Sequence, residues 1–170
     1  KGIKIIPCYY KKDYPEWSDR GDGPGAPVAV HLPNSPVIST GKRDGSKIRL
    51  PNGNYLEETA SYFVMVETKT GGFTPALITM KSTQLNVSKK WNSMMKTIQI
   101  PDGKGGFAIP PMHGVVYNLA STLQKNDKGS WYGWVVTQDR IMGQDDKSLY
   151  LSAKEFAGNV SKGSVQTKAD

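Results

Sequence analysis

The run from Met80 to Lys96, MKSTQLNVSKKWNSMMK, constrains this chain most. It is the only long helical pattern in the first two thirds of the sequence, and strand-like segments flank it on both sides. A lone amphipathic helix among strands must bury its apolar stripe on a sheet or across the end of a barrel. On a helical wheel Val87, Trp91, Met94 and Ile98 share one stripe, while Lys89 and Lys96 point away from it. Ser82 or Thr83 is the expected N-cap. The same neighbourhood gathers charge: from Lys81 to Lys104 there are five lysines and one acid, Asp102. The helix should therefore plug the fold with one face and show a basic face to solvent.

The flanks read as strands and turns. Gly2–Tyr10 is rich in β-branched and aromatic residues, and Pro7 within it suggests an edge position or a bulge. Residues 18–54 form a long Gly/Pro/Asn/Asp-rich loop in which only Val28–Leu32 has a strand pattern. Tyr62–Val66 and Phe73–Met80 pair as a hairpin across Lys69-Thr70-Gly71-Gly72, whose glycines supply the positive φ such turns need. Met112–Thr122 and Ser130–Gln138 are the next strands, separated by a polar loop. Asp145–Ala157 has a helical pattern with Leu149, Ala153 and Phe156 on one face, and a polar tail fills 158–170. This order predicts a β-rich domain over residues 1–157, an OB-fold-like five-stranded barrel with its helix between strands 3 and 4. A mixed α+β antiparallel sheet is the alternative. In the barrel, loops 18–54 and Leu123–Gly129 would flank one groove.

Charge and chemistry narrow the function. Twenty-two Lys and Arg against 15 Asp and Glu give a net charge of +7 and a pI near 9.4, which favours a polyanionic partner. The single cysteine, Cys8, rules out an internal disulfide and reads as a buried small hydrophobe. No apolar run is long enough to span a membrane, and no signal-peptide pattern is present. His31 and His113 lack ligand spacing to each other or to Cys8, so neither a metal nor a cofactor is expected. Gly103-Lys104-Gly105-Gly106 resembles a phosphate loop only superficially, because it lacks the first glycine and the following Ser/Thr. Without a nucleophile, metalloprotease or phosphate-loop motif, the expectation is not an enzyme.

Single-strand binding needs cations for phosphates and aromatic faces for bases. Two clusters mix them: Tyr9, Tyr10, Lys11 and Lys12 with Trp17, and Lys125 and Lys128 with Trp131, Tyr132 and Trp134. Lys42 and Arg43 of the long loop and Lys89 of the helix add charge. Strand alternation puts Tyr132 and Trp134 on one face and Trp131 on the other. One face belongs to the core and the other is a stacking platform; which is which stays open at this level. The competing reading is that all these aromatics fill a core short of leucine.

Four segments carry a resemblance: Ile5-Pro7-Cys8-Tyr9-Tyr10, Leu50-Pro51-Asn52-Gly53-Asn54, Ser82–Leu85 with Ser88–Met95, and Asn126–Trp134. Over nearly the whole chain they are similar to a family of tailed-phage proteins common in phages of marine bacteria. The resemblance implies a phage protein loosely associated with phage single-stranded DNA-binding proteins, with a further segment upstream of Lys1. It carries no site residues with it. The expected function is thus a non-catalytic, largely sequence-independent single-stranded DNA-binding protein of phage DNA replication or recombination. It would act in the cytoplasm of the infected bacterial host, away from membranes, with single-stranded DNA, phage replication proteins and further copies of itself as partners. The alternative is a virion structural or assembly protein with a basic surface.

Overall fold

The computed structural model describes residues 2–19, 25–127 and 129–164. Among them are eleven strand segments and three α-helices, so the chain is β-rich, and the registered strand pairs are all antiparallel. The described residues gather into two compact units. The first is Lys1–Tyr10, Tyr62–Ile78 and Val87–Asp170; the second is Lys11–Ser61 and Thr79–Asn86. No described helix is long and apolar enough to cross a membrane.

Strand β1 (Ile3–Trp17) contributes to both units. In the first, Ile3–Ile5 pair with Tyr117–Leu119 of β10 (Val115–Asn126). In the second, Tyr14–Glu16 pair with β2 (Ala29–His31), and Glu16–Trp17 with β5 (Tyr55–Glu57). β1 also pairs with β6 (Thr59–Glu67), which pairs in turn with β7 (Phe73–Lys81). Pro7, where an edge position or a bulge was expected, is fully buried. The ladder to β10 ends at Ile5, before the proline ring that has no N–H to give.

The first unit is built around α2 (Leu85–Thr97), β10, β11 (Gly129–Ile141) and α3 (Lys147–Ser161). The expected helix begins late: Met80 and Lys81 finish β7, and Ser82–Gln84 form a 3-10 turn entered through Ser82 at φ 52°. Strand alternation explains this, since it buries Ile78 and Met80 and leaves Thr79 and Lys81 outside. Within the helix the buried positions are Ser88 and Trp91, with Val87 and Met94 only half covered. Trp91 stacks on Tyr62 and meets the edge of Tyr117. In α3 the expected face packs inward, with Ala153 buried and Leu149 and Phe156 against Ile6, Cys8, Met65 and Val116. The hairpin of β6 and β7 turns as expected, with Gly71 at φ +84° and its N–H donating to the Thr68 carbonyl. Three consecutive residues of β10, Val115 to Tyr117, are buried because both faces are covered there: Val116 packs with Ile6, Cys8, Met65 and Ala153, while Tyr117 meets Trp91.

The second unit overturns the long loop expected at 18–54. Its described part holds β2, α1 (Pro36–Thr40), β3 (Lys42–Asp44) and β4 (Lys47–Arg49), and β3, β4 and β5 pair in succession. Ile48, Leu50 and Leu56 form its core, with Tyr14, Val37 and Ile38 packed around them. The strands are three residues long, too short for a periodic pattern to stand out in the sequence. Gly41 is needed here for close approach: a Cβ there would strike the Ile48 side chain and stand 2.9 Å from the Arg49 carbonyl oxygen. Glu16 binds the segment together. Its buried carboxylate accepts from Asn54 Nδ2 at 2.6 Å, His31 Nε2 at 2.7 Å and Asn52 Nδ2 at 3.2 Å.

Candidate nucleic-acid interface

The polar loop expected at Leu123–Gly129 is instead the end of a tight hairpin. β10 and β11 stay paired from Val115↔Ile141 to Asn126↔Gly129, leaving only Asp127 and Lys128 between them. The sequence hides this because Gln124, Lys125 and Asn126 are polar strand residues at an exposed end. Gly129, at φ +140°, takes the backbone angle that a side-chain-bearing residue would resist.

Pairing fixes the two faces of this arm. On one face the cross-strand couples are Leu119↔Val136, Ser121↔Trp134, Leu123↔Tyr132 and Lys125↔Ser130. Leu119 and Val136 are buried in the first unit's core, but the same face continues outward uncovered. Trp134 is 37% exposed, Leu123 59% and Tyr132 73%. These exposed side chains form one row ending at Lys125. The opposite face carries Trp131, half-buried opposite Gln124, with its indole N–H unpartnered among the described residues. The more exposed face of the arm is therefore that of Tyr132 and Trp134.

Beside Trp134, Val87 and Lys90 of α2 help line a recess of about 180 Å³ that reaches Trp91 and Gln124. Lys89, Lys90, Lys96 and Lys125 are exposed, and among the described residues none of them makes an ion pair.

The other expected contacts fare differently. Tyr9 meets Phe63 edge-on at 6.1 Å and Tyr10 lies against Tyr62 at 5.0 Å, so both half-buried rings already serve packing within the first unit. Lys11 pairs with Asp13 at 3.1 Å and Lys12 with Glu58 at 2.6 Å, which spends their charge locally. Trp17 is half-buried in the second unit, and its indole N–H has no partner among the described residues. Lys42 and Arg43 are exposed on β3 of that unit. Lys128 lies outside the described residues. Leu123 and Lys90 are absent from the expected set, and only the strand register or the helix position reveals them.

The resemblance of Gly103–Gly106 to a phosphate loop ends at Asp102. Its Oδ1 accepts from the N–H groups of Lys104 at 2.7 Å and Gly106 at 2.9 Å, so the turn already holds its own anion. Those two bonds keep the Asp102 carboxyl below its ordinary value. Among the described residues no three His, Cys, Asp or Glu side chains cluster closely enough to hold a metal.

A family model described as Pam3 phage gp34-like protein matches residues 1–166, and the chain belongs to that phage family. No curated protein and no solved structure matches the chain.

Proposed function

We propose that this member of the Pam3 phage gp34-like family is a non-catalytic, single-stranded DNA-binding protein acting in phage DNA replication or recombination. The observation that carries the reading is the exposed row Trp134, Leu123, Tyr132 and Lys125 on one face of the β10–β11 arm. Tyr132 and Trp134 offer ring faces to bases, and Lys125, Lys89 and Lys90 offer unpaired charge to phosphates. Stacking accepts any base, so preference among sequences is slight. The net charge of +7 favours the same partner.

With this proposal goes the finer fold reading, one OB-like barrel domain over residues 1–157. Its support is the chain order of the five strands of nine residues or more: β1, β6 and β7, then α2, then β10 and β11. The helix stands between the third and fourth of them, as an OB barrel requires.

Fluorescence anisotropy of a labelled oligo-dT, titrated at two salt concentrations, tests the function. Binding that weakens steeply with salt is the expected result. An unchanged signal at micromolar protein in low salt ends the proposal, and enrichment of the protein in purified virions would favour the structural alternative.

A further inference from the structure

The turn Leu50-Pro51-Asn52-Gly53-Asn54 joins β4 to β5 in the second unit and has no part in the single-strand reading. Leu50 and Asn54 close it, the Leu50 N–H donating to the Asn54 carbonyl at 2.8 Å. Within it the Gly53 N–H donates to the Leu50 carbonyl at 3.1 Å. Pro51 sets the first corner, and Gly53 at φ +89° takes the left-handed last one. Asn52 and Gly53 are exposed, and a Cβ on Gly53 would meet nothing within 4 Å. They are the only Asn-Gly pair in the sequence.

The Asn52 side chain is held at both ends. Its Oδ1 accepts from the Asn54 N–H at 3.0 Å, and its Nδ2 donates to Glu16 Oε1 at 3.2 Å. A donor on an amide oxygen polarises the carbon behind it. The same donor steadies the negative charge that reaches the oxygen when a nucleophile adds to that carbon. The nucleophile next in the chain is the Gly53 backbone nitrogen, whose addition to Asn52 Cγ closes a five-membered ring. Glycine crowds that ring least, because it has no side chain. Local opening of an exposed turn releases the nitrogen from the Leu50 carbonyl.

We propose that Asn52 is a site of self-modification, its side-chain amide becoming a carboxyl through a cyclic imide formed with Gly53. The Gly53 nitrogen gives its proton to water and bonds to Cγ, while Oδ1 takes the negative charge against the Asn54 N–H. The Cγ–Nδ2 bond then breaks, and the nitrogen leaves as ammonia with a proton returned from water. Water adds to one or the other imide carbonyl and leaves aspartate or isoaspartate at position 52. The product changes the contacts of Glu16. A donor to that buried carboxylate becomes a second carboxylate beside it, and like charges so close disfavour each other. Isoaspartate also reroutes the backbone of the turn through the side chain. The modification therefore loosens, irreversibly, the contacts that tie residues 16, 31, 52 and 54 together.

Ageing the folded full chain at mildly alkaline pH, with timed samples digested for mass spectrometry, tests the site. The peptide holding Asn52 should gain about 1 Da several-fold faster than those holding Asn34 and Asn92. An enzyme that methylates isoaspartate should label the same peptide, and Asn52→Gln should abolish the fast conversion. Asn52→Asp, which installs one product directly, should melt below the wild type at neutral pH. Conversion at Asn52 in the urea-unfolded chain, with none beyond the Asn34 and Asn92 rate in the folded one, shows that the turn protects the amide and overturns the site. Wild-type melting in Asn52→Asp overturns the effect on Glu16.

Discussion

The Tyr62 ring lies on the Trp91 indole with centroids 4.3 Å apart and planes 28° from parallel. Its hydroxyl is held at the same time, 2.7 Å from Ser88 Oγ on the preceding turn of the helix. One tyrosine of β6 thus fixes both the position and the rotation of α2. Trp91 is almost completely buried, so Trp91→Ala should cost about 3–5 kcal/mol, the usual range for deleting a large core aromatic. Ser88→Ala should cost only about 1 kcal/mol, because the hydroxyl keeps Asn92 Oδ1 and the Ser88 carbonyl as acceptors. Urea denaturation of the two variants measures the difference.

Tyr132 separates binding from stability. It is exposed on the far part of the arm and opposes Leu123, another exposed residue. Tyr132→Ala should leave the unfolding midpoint nearly unchanged. If its ring carries one stacked base, the variant should lose about 1–3 kcal/mol of affinity for oligo-dT. Unchanged affinity in a folded Tyr132→Ala would remove this ring from the interface.

The sequence displays what depends on periodicity and conceals what depends on pairing. The face of α3 with Leu149, Ala153 and Phe156 was readable because helical spacing needs no partner to interpret it. Trp91 as a core residue was readable for the same reason. Ser88 was not, since its burial follows from the Tyr62 hydroxyl rather than from hydropathy. The second unit was missed because three-residue strands such as Lys42–Asp44 carry too few positions for alternation to show. Tyr132 and Trp134 were correctly placed together, but choosing their face as the uncovered one required the register that sets them beside Leu123 and beyond Leu119. Lys11 and Lys12 show the limit of composition: Asp13 and Glu58 neutralise them, and only coordinates reveal that.

The unpaired lysines predict a salt signature. Each phosphate contact on a single strand contributes about 0.7 to the slope of log affinity against log salt. Lys89→Gln, Lys90→Gln and Lys125→Gln should each flatten that slope by an amount of this order if they meet phosphates. Lys11→Gln and Lys12→Gln should change it less, because those cations already face carboxylates. Equal slopes across all five variants would detach the basic helix and the arm from the binding surface.

Cys8 gives a probe of the first unit's integrity. Burial pushes its thiol up to about 12, partly opposed by a hydrogen bond from the Met65 backbone. The thiolate is the reactive form, so at about pH 8 the folded protein should resist a thiol reagent. Labelling should then proceed only as fast as the core of Ile6, Met65, Val116 and Ala153 opens. Denaturant should release a single reactive thiol per chain. Rapid stoichiometric labelling of the native protein would contradict the burial of Cys8.

Glu16 should make the second unit sensitive to acid. The Asn54 amide first, and then His31, hold its carboxyl below the ordinary value of 4.5. A carboxyl that is more acidic folded than unfolded stabilises the folded state fully above its unfolded value. That contribution declines as pH falls below 4.5 and is lost once the folded carboxyl itself takes a proton. A protonated Glu16 can no longer accept from both Asn54 and His31 as a charged group. These contacts tie together residues 16, 31, 52 and 54, so their loss should loosen the described part of the 25–54 segment. Glu16→Gln removes the titrating group while retaining one carbonyl acceptor. Its stability should be lower than that of the wild type at neutral pH, and the gap should narrow on acidification. Thermal melts of both proteins from about pH 7 to about pH 3 provide the comparison. Parallel curves across that interval would show that the Glu16 charge contributes nothing to folding.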